Sequence, residues 1–244
     1  MRCLSICLIA VGVALFGRAA AQVSAPVAPE WVEQIIHDYL LAHPDVVIEA
    51  LKAAGAKEKQ KQEVAIRAAI AAKGKELLED PSSPTGGNPK GDVTLVEFFD
   101  YRCPYCKQVE PLVETLLKED PNLRIVYKEW PILGPPSVVA AHVALVALER
   151  GRYTQFHAAM MAARGEITED AILKVAAGVG LDIAQVRADM AAPEFDQLIR
   201  RNYDLASALG IHATPAFVIG DSLIPGAVGL ETLKQKISAA RNAN

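Results

Sequence analysis

Cys103 and Cys106, separated by Pro104 and Tyr105, are the residues whose type and spacing suit covalent chemistry most directly. A thiol attacks as its thiolate, and a second thiol one helical turn away is within reach to close a disulfide with it. The pair follows the apolar run 93–99, which reads as a buried strand, and precedes a helical pattern that opens at Pro104. Cys103 therefore falls at a strand-to-helix junction. Unpaired N–H groups and the positive end of the helix dipole meet there, and both favour its thiolate.

Disulfide transfer also needs a surface for an extended chain that carries a thiol. The stretch Ile211-His212-Ala213-Thr214-Pro215-Ala216-Phe217 suggests one. A proline entering a strand is poor sheet chemistry unless its bond or its edge position is special. A cis Thr214–Pro215 bond would leave the backbone of Thr214 free to pair with substrate beside Cys103. The plainer alternative is that Pro215 simply starts a strand.

Composition bounds the setting. Residues 1–21 read as an export signal: Arg2 supplies a charged start, 4–16 an apolar run, and Ala19-Ala20-Ala21 a small-residue cleavage site before Gln22. That run is too short for a membrane span, and no later stretch is long enough. Subtracting these 21 residues from 244 leaves 223, and subtracting Cys3 and Cys7 from four cysteines leaves two. Those two are the pair at 103 and 106, so the exported chain has nothing else to oxidise. The periplasm of a Gram-negative bacterium is the expected compartment. The net charge of −4 becomes about −6 without Arg2 and Arg18, and with no basic stripe this argues against nucleic acid as a partner.

The elements that must position the pair follow in order. Residues 22–28 form a Pro/Ala/Ser tether, and a helical pattern begins at Pro29 with Trp31, Val32, Ile35, Ile36, Tyr39 and Leu40. Pro44 interrupts it, and 45–51 resumes as a second helix. Residues 53–78 are dominated by alanine and charge, with Val64, Ile66, Ile70, Leu77 and Leu78 as the large apolar positions. So thin a stripe is expected to lie along another chain or to act as a solvated spacer; the alternative is a helix packed on its own domain. Residues 80–89 are the clearest linker. After it come strand 93–99, helix 104–118, strand 123–130 and a turn at 131–136. Helices follow over 138–149, 153–163, 168–179, 182–190 and 193–209, with Thr168 and Asp182 as N-caps. Strands 216–219 and 222–224 and a helix over 231–241 close the chain.

This order is α/β: a thioredoxin-like fold with a helical domain inserted at about 134–209, preceded by an N-terminal helical extension over 22–80. The main domain is expected over 81–244.

Residues 95–107, Thr214-Pro215-Ala216-Phe217-Val218-Ile219-Gly220-Asp221, Ile224-Pro225-Gly226 and Tyr39-Leu40-Leu41-Ala42-His43-Pro44 together resemble the DsbA family of exported thiol-disulfide oxidoreductases. The resemblance is to its ScsC-like branch with an N-terminal helical extension. It implies Cys103 as nucleophile, Cys106 as resolving thiol and a cis-proline loop at Pro215. It further implies oxidase or isomerase activity on cysteine-containing exported proteins, a membrane redox partner that recycles the site, and a dimer or trimer built through residues 29–79. One departure is Pro104, where ScsC-like proteins usually carry glycine. Pro-Tyr is the dipeptide of glutaredoxins, which are weaker oxidants than DsbA, so the choice between strong oxidant and milder shuffler stays open. The resemblance also implies that Glu97, six positions before Cys103, is a buried acid that relays protons to the resolving thiol. Lys128 on the adjoining strand is expected either to pair with Glu97 or to be solvated. His212, two residues before Thr214, is a candidate donor to the Cys103 sulfur.

Other classes compete. A structural disulfide over so short a loop would gain only about 2 kcal/mol, against about 4.7 for a 100-residue loop. A structural zinc site needs four ligands and finds two. No cofactor is expected beyond the redox pair itself, although two soft thiolates suit copper(I), and several assembled chains would present several pairs. A third rival is an exported assembly protein that works through its helical arm.

Overall fold

The computed structural model describes residues 30–243; the expected export signal and the tether lie outside them. The chain divides into two compact units at Gly55 and Ala56. In the first, α1 (Glu30–Ala42) stops one residue before α2 (Pro44–Ala72), because proline at a helix start gives up no hydrogen bond. α1 buries none of its residues: Trp31 is 65% exposed and Leu41 70%, and Leu51 on α2 is 68% exposed. The expected boundary between a helix ending at Leu51 and another beginning at Ala53 is absent, since α2 continues to Ala72 and α3 (Gly74–Leu78) follows.

The second unit is built on a five-stranded sheet in the order β1-β3-β2-β4-β5. The strands are β1 (Thr85–Gly87), β2 (Val93–Phe99), β3 (Leu123–Glu129), β4 (Ala216–Ile219) and β5 (Ser222–Pro225). β2 and β3 are parallel and joined through α4 (Pro104–Glu119), as a parallel pair requires a crossover. The remaining pairings are antiparallel. Between β3 and β4 lie α5 (Pro135–Glu149), α6 (Tyr153–Ala162), α7 (Glu169–Gly178), α8 (Ile183–Asp189) and α9 (Pro193–Ala208); α10 (Leu230–Ala243) follows β5. Thr168 Oγ1 accepts from the Ala171 N–H at 3.2 Å and Asp182 Oδ1 from that of Gln185 at 3.1 Å, so both expected N-caps are in place. Among the described residues no helix is long and apolar enough to cross a membrane.

Because side chains alternate along a strand, β2 feeds two separate cores. Leu95 and Phe99 join Ile125, Tyr127, Phe217 and Ile219 beneath α4 to α7 and α10. Val96 and Phe98 point the other way, into a smaller core with Val126, Trp130, Leu205, Leu209, Val218, Ile70 and Leu77. The last two belong to α2 and α3. The extension expected over 22–80 is thus divided: its final part, from Ala56, belongs to the sheet-bearing unit and covers one face of its sheet. The thin apolar stripe suffices because it needs to fill only the end of an existing core.

The expected linker at 80–89 contains β1. Thr85, Gly86 and Gly87 pair with Val126, Ile125 and Arg124. Gly87 adopts φ +68°, and a Cβ there would lie 2.5 Å from the Leu123 carbonyl oxygen, so the glycine that looked like linker composition is what lets the edge strand approach β3. Lys128 also differs from expectation. In the β2–β3 register it stands opposite Phe98 while Glu97 stands opposite Tyr127, which sends Lys128 and Glu97 to opposite faces. Lys128 is neither paired with Glu97 nor solvated: it is fully buried and donates to the Glu76 carbonyl at 2.5 Å and to Ser83 Oγ at 2.8 Å. Burial, foremost, lowers its pKa to about 8. It ties α3 and the turn before β1 to the sheet.

Leu77 is 1% exposed in the smaller core. Leu77→Ala is therefore expected to cost about 2–5 kcal/mol in urea denaturation of the full chain, the range for a buried leucine truncated to alanine. A change below about 0.5 kcal/mol, the range of surface substitutions, would mean that α3 is not part of this core.

Candidate active site

Cys103 is the residue that caps the start of α4, with extended backbone angles (φ −71°, ψ 118°) and Pro104 in the first turn. Its N–H donates to the Asp100 carbonyl at 3.0 Å and its own carbonyl accepts from the Lys107 N–H at 3.2 Å. The loop before it is pinned by the buried Asp100 carboxylate, which accepts from the Arg102 N–H at 2.7 Å, the Leu133 N–H at 2.9 Å and Ser137 Oγ at 2.8 Å. The Arg102 guanidinium adds a bond to the Leu133 carbonyl. These contacts fix the β2–α4 turn against the start of α5, so the cysteine is positioned from both sides of the chain.

Thr214 and Pro215 come to the same place from β4. The Thr214–Pro215 bond is cis. The Cys103 thiol donates to the Thr214 carbonyl at 3.3 Å, and the Pro215 carbonyl accepts from the Gly226 N–H at 2.8 Å, anchoring the loop to the end of β5. Of the residues named from sequence, the structure brings together Cys103, Pro104, Tyr105, Cys106, Thr214 and Pro215. Tyr105 is 60% exposed and projects outward between the cysteines. His212 is not brought in as a donor: it is exposed, and it lines a groove with Gln62, Ile66 and Leu209 while Thr214 is the partner of the sulfur.

Both cysteines are free thiols, and their environments differ. The pKa of Cys103 is lowered to about 6: the Cys106 thiol donates to its sulfur, and the Thr214 side chain and the N–H groups of Cys106 and Tyr105 add to this, against the opposing effect of burial. Cys106, fully buried, is pushed strongly upward by burial first, then by its hydrogen bond to Cys103 and by the Glu97 charge. One sulfur is thus set up as a nucleophile and the other as a retained proton donor.

Glu97 is wholly buried beneath the pair, and neither of its carboxylate oxygens has a hydrogen-bond partner among the described residues. Burial, then the charges of Glu110, Cys103 and Glu129, hold its carboxyl well above the usual range. The sequence reading missed the groups that surround it. Glu110, one turn beyond Cys106 on α4, contacts His157 of α6; His157 contacts Tyr101; Tyr101 and Tyr153 both donate to Glu129. Lys107 was missed as well. Its ammonium donates to the carbonyls of Met160 at 2.5 Å and Ala163 at 3.2 Å, closing the end of α6, and burial followed by the Arg164 charge lowers its pKa to about 8. The signal available was polar residues standing at buried helical spacing, with Glu110 between Val109 and Val113.

The sheet order, the helical insertion and the Cys-x-x-Cys pair at the first helix start define a thioredoxin-like protein. The chain belongs to the DSBA-like thioredoxin domain family, which it matches over residues 94–238. Residues 31–61 match the copper resistance protein ScsC N-terminal domain. A thioredoxin-like oxidoreductase from Silicibacter pomeroyi is 46% identical, with a TM-score of 0.68 over 70% of this chain and 98% of that one. Proteus mirabilis ScsC in a transitional conformation is 26% identical, with a TM-score of 0.68 over 88% of this chain and 97% of that one. A Na(+)/H(+) antiporter NhaA 1 of Salinispora arenicola is 30% identical over 156 residues, covering 63% of this chain and 24% of the antiporter. The chain spans about a quarter of the length of the antiporters it matches.

The asymmetry of the thiols sets a pH dependence. Alkylation of the reduced protein by iodoacetamide is expected at Cys103 with a midpoint near pH 6, while Cys106 stays unmodified through neutral pH. Because the folded Cys103 pKa lies below its ordinary value of 9.0, the unfolded chain binds more protons between the two values. The contribution to stability is complete above about 9 and is lost as pH falls through about 6. Cys103→Ser should flatten that slope in urea titrations of the reduced protein; an unchanged slope would contradict the assignment.

Proposed function

We propose that the protein is an exported thiol-disulfide oxidoreductase that exchanges disulfides with cysteine-containing proteins in the periplasm. The observation that supports this most directly is the Cys103 sulfur at the start of α4, with its pKa lowered to about 6 and a protonated Cys106 one turn behind it. In the reduced enzyme the Cys103 thiolate attacks a substrate disulfide, forms a mixed disulfide and releases one substrate sulfur as thiolate. Either that thiolate returns to attack another substrate sulfur, giving isomerisation, or Cys106 loses its proton and displaces the substrate, closing the Cys103–Cys106 disulfide. Oxidation of substrates runs this second route backwards, and a membrane partner would restore the oxidised pair.

Isomerase use is the finer reading we favour. A pKa of about 6 keeps most of Cys103 ionised at neutral pH, as an isomerase working from its reduced form requires, without the extreme thiolate stabilisation of DsbA, whose nucleophilic cysteine has a pKa of about 3.5. The apolar face of α1 and early α2 supports assembly: Trp31, Ile35, Ile36, Tyr39 and Leu51 are all more than half exposed, which a lone soluble chain rarely tolerates. We place the homo-oligomer contact on these residues rather than along all of 29–79, because Ile70 and Leu77 are occupied by the chain's own sheet.

A resident copper(I) ion fits the site less well. Both thiols would have to be ionised to hold it, and in the metal-free chain burial and the Glu97 charge favour the protonated form of Cys106.

The test pairs light-scattering molar mass with refolding of scrambled ribonuclease. Wild type is expected to be a dimer or trimer that recovers ribonuclease activity. Ile35→Glu with Leu51→Glu should yield monomers that lose isomerase activity at least about ten-fold, as expected when multivalent capture is removed, while Cys103 alkylation is retained. Monomeric wild type, or full isomerase activity in the monomeric variant, would remove the assembly-dependent reading.

A further inference from the structure

We propose that a groove between the second half of α2 and the turn leading into the Thr214–Pro215 loop holds the apolar flanking residues of an extended polypeptide whose disulfide Cys103 attacks. This rests on the oxidoreductase reading above and adds to it a substrate wall built from the chain before β1.

The groove encloses about 510 Å³, within the 300–1,000 Å³ usual for ligand pockets. One wall is a single face of α2, where Gln62, Ala65, Ile66 and Ala69 stand at i, i+3, i+4 and i+7. The other is the end of α9 and the turn after it, Ser207 to Gly210, with His212 completing the lining. The alanine-rich composition of α2 has a use here: Ala65 and Ala69 present only methyl groups, so the trough stays open while Ile66 and Ala69 rest on the smaller core beside Ile70. Both walls are preformed. α9 ends where Gly210 takes φ +68° and the Ile211 N–H donates to the Ala206 carbonyl at 2.8 Å, the usual closure of a glycine-terminated helix. Ile211, 4% exposed, then plants the turn in the core that also holds Ile70.

Three observations select the occupant. The groove is continuous with the sulfur: two residues, at most about 7 Å of chain, separate His212 from Thr214, whose carbonyl receives the Cys103 thiol at 3.3 Å. A polypeptide joined to Cys103 through its own cysteine therefore reaches the trough with the residues two to five positions away, at about 3.3 Å of reach per residue. Glutathione, with one residue on either side of its cysteine, ends short of it. Main-chain donors also stand ready. His212 and Ala213 are exposed, and among the described residues no backbone carbonyl accepts from their N–H groups, which leaves these to pair with an added strand. Finally, no Asp, Glu, Lys or Arg lines the groove, although α2 carries Lys57, Glu58, Lys59, Lys61, Glu63 and Arg67 over the same stretch. A lining without charge in so charged a helix suits aliphatic side chains and disfavours a charged ligand.

The experiment measures the rate of mixed-disulfide formation by the reduced full-length protein with glutathione disulfide and with the symmetrical disulfides of two nine-residue peptides of equal net charge. Each peptide carries a central cysteine, flanked by leucine in one and by serine in the other. Wild type is expected to react about ten-fold or more faster with the leucine peptide, the worth of one leucine partly removed from water. Ala65→Glu and Ala208→Glu, at exposed helical positions in the lining, should each bring the two peptides to within about two-fold of each other, because a carboxylate then sits where the leucine would be buried. The loss should appear as a higher half-saturating concentration of the leucine peptide rather than a slower maximal rate. Ala68→Glu, exposed and outside the lining, should keep the wild-type preference. Equal rates for the two peptides in wild type, or a preference that survives both Ala65→Glu and Ala208→Glu, would overturn the assignment, and the wild-type comparison decides it if a variant does not fold. Wild type that forms no mixed disulfide with glutathione would instead remove the oxidoreductase reading itself.

Discussion

A thiolate at the mouth of α4 is stabilised by groups that point at it from the first helical turn and from the Cys106 thiol, while one turn deeper the sheet and helical layer exclude the water that would ionise Cys106. The site depends on keeping these two environments different within a single turn of helix. The fold supplies the difference by burying Cys106 against the larger core and leaving Cys103 at its edge beside the Thr214 carbonyl. The Asp100 carboxylate, tied to the loop, to Leu133 and to Ser137, holds the helix start where this difference arises.

That arrangement explains why the sheet is covered so differently on its two faces. The face bearing Glu97 carries a polar network sealed by α4 and α6, and its oxygens and rings are paired except for the carboxylate under the sulfurs. The opposite face is mostly apolar, and its fully buried charge is Lys128, whose ammonium is satisfied by the Glu76 carbonyl and Ser83. Burying a lysine is costly unless its donors are met; here the reward is that α3 and the turn before β1 are fixed to the sheet.

The sequence was legible wherever periodicity and punctuation agreed. Val93 to Phe99, the helix starting at Pro104, the caps at Thr168 and Asp182, and the strand at Ala216 to Ile219 stand where residue pattern places them. β1 was hidden because an edge strand that approaches through glycine has the composition of a linker. The Glu97–Lys128 pair failed because parity across two strands depends on register, which neither strand encodes alone. Glu110, His157 and Glu129 were invisible for a related reason: α4, α6 and β3 are far apart in the chain, and only the packing of the insertion on the sheet brings their polar atoms together.

The measurement that bears most directly on this account is covalent trapping. A Cys106→Ala variant exposed to a disulfide-containing polypeptide should accumulate a mixed disulfide through Cys103 that dithiothreitol releases, because attack is retained and resolution is removed. A variant that forms no adduct while remaining folded, or one whose adducts persist after Cys103→Ser is added, would contradict the division of roles between the two sulfurs.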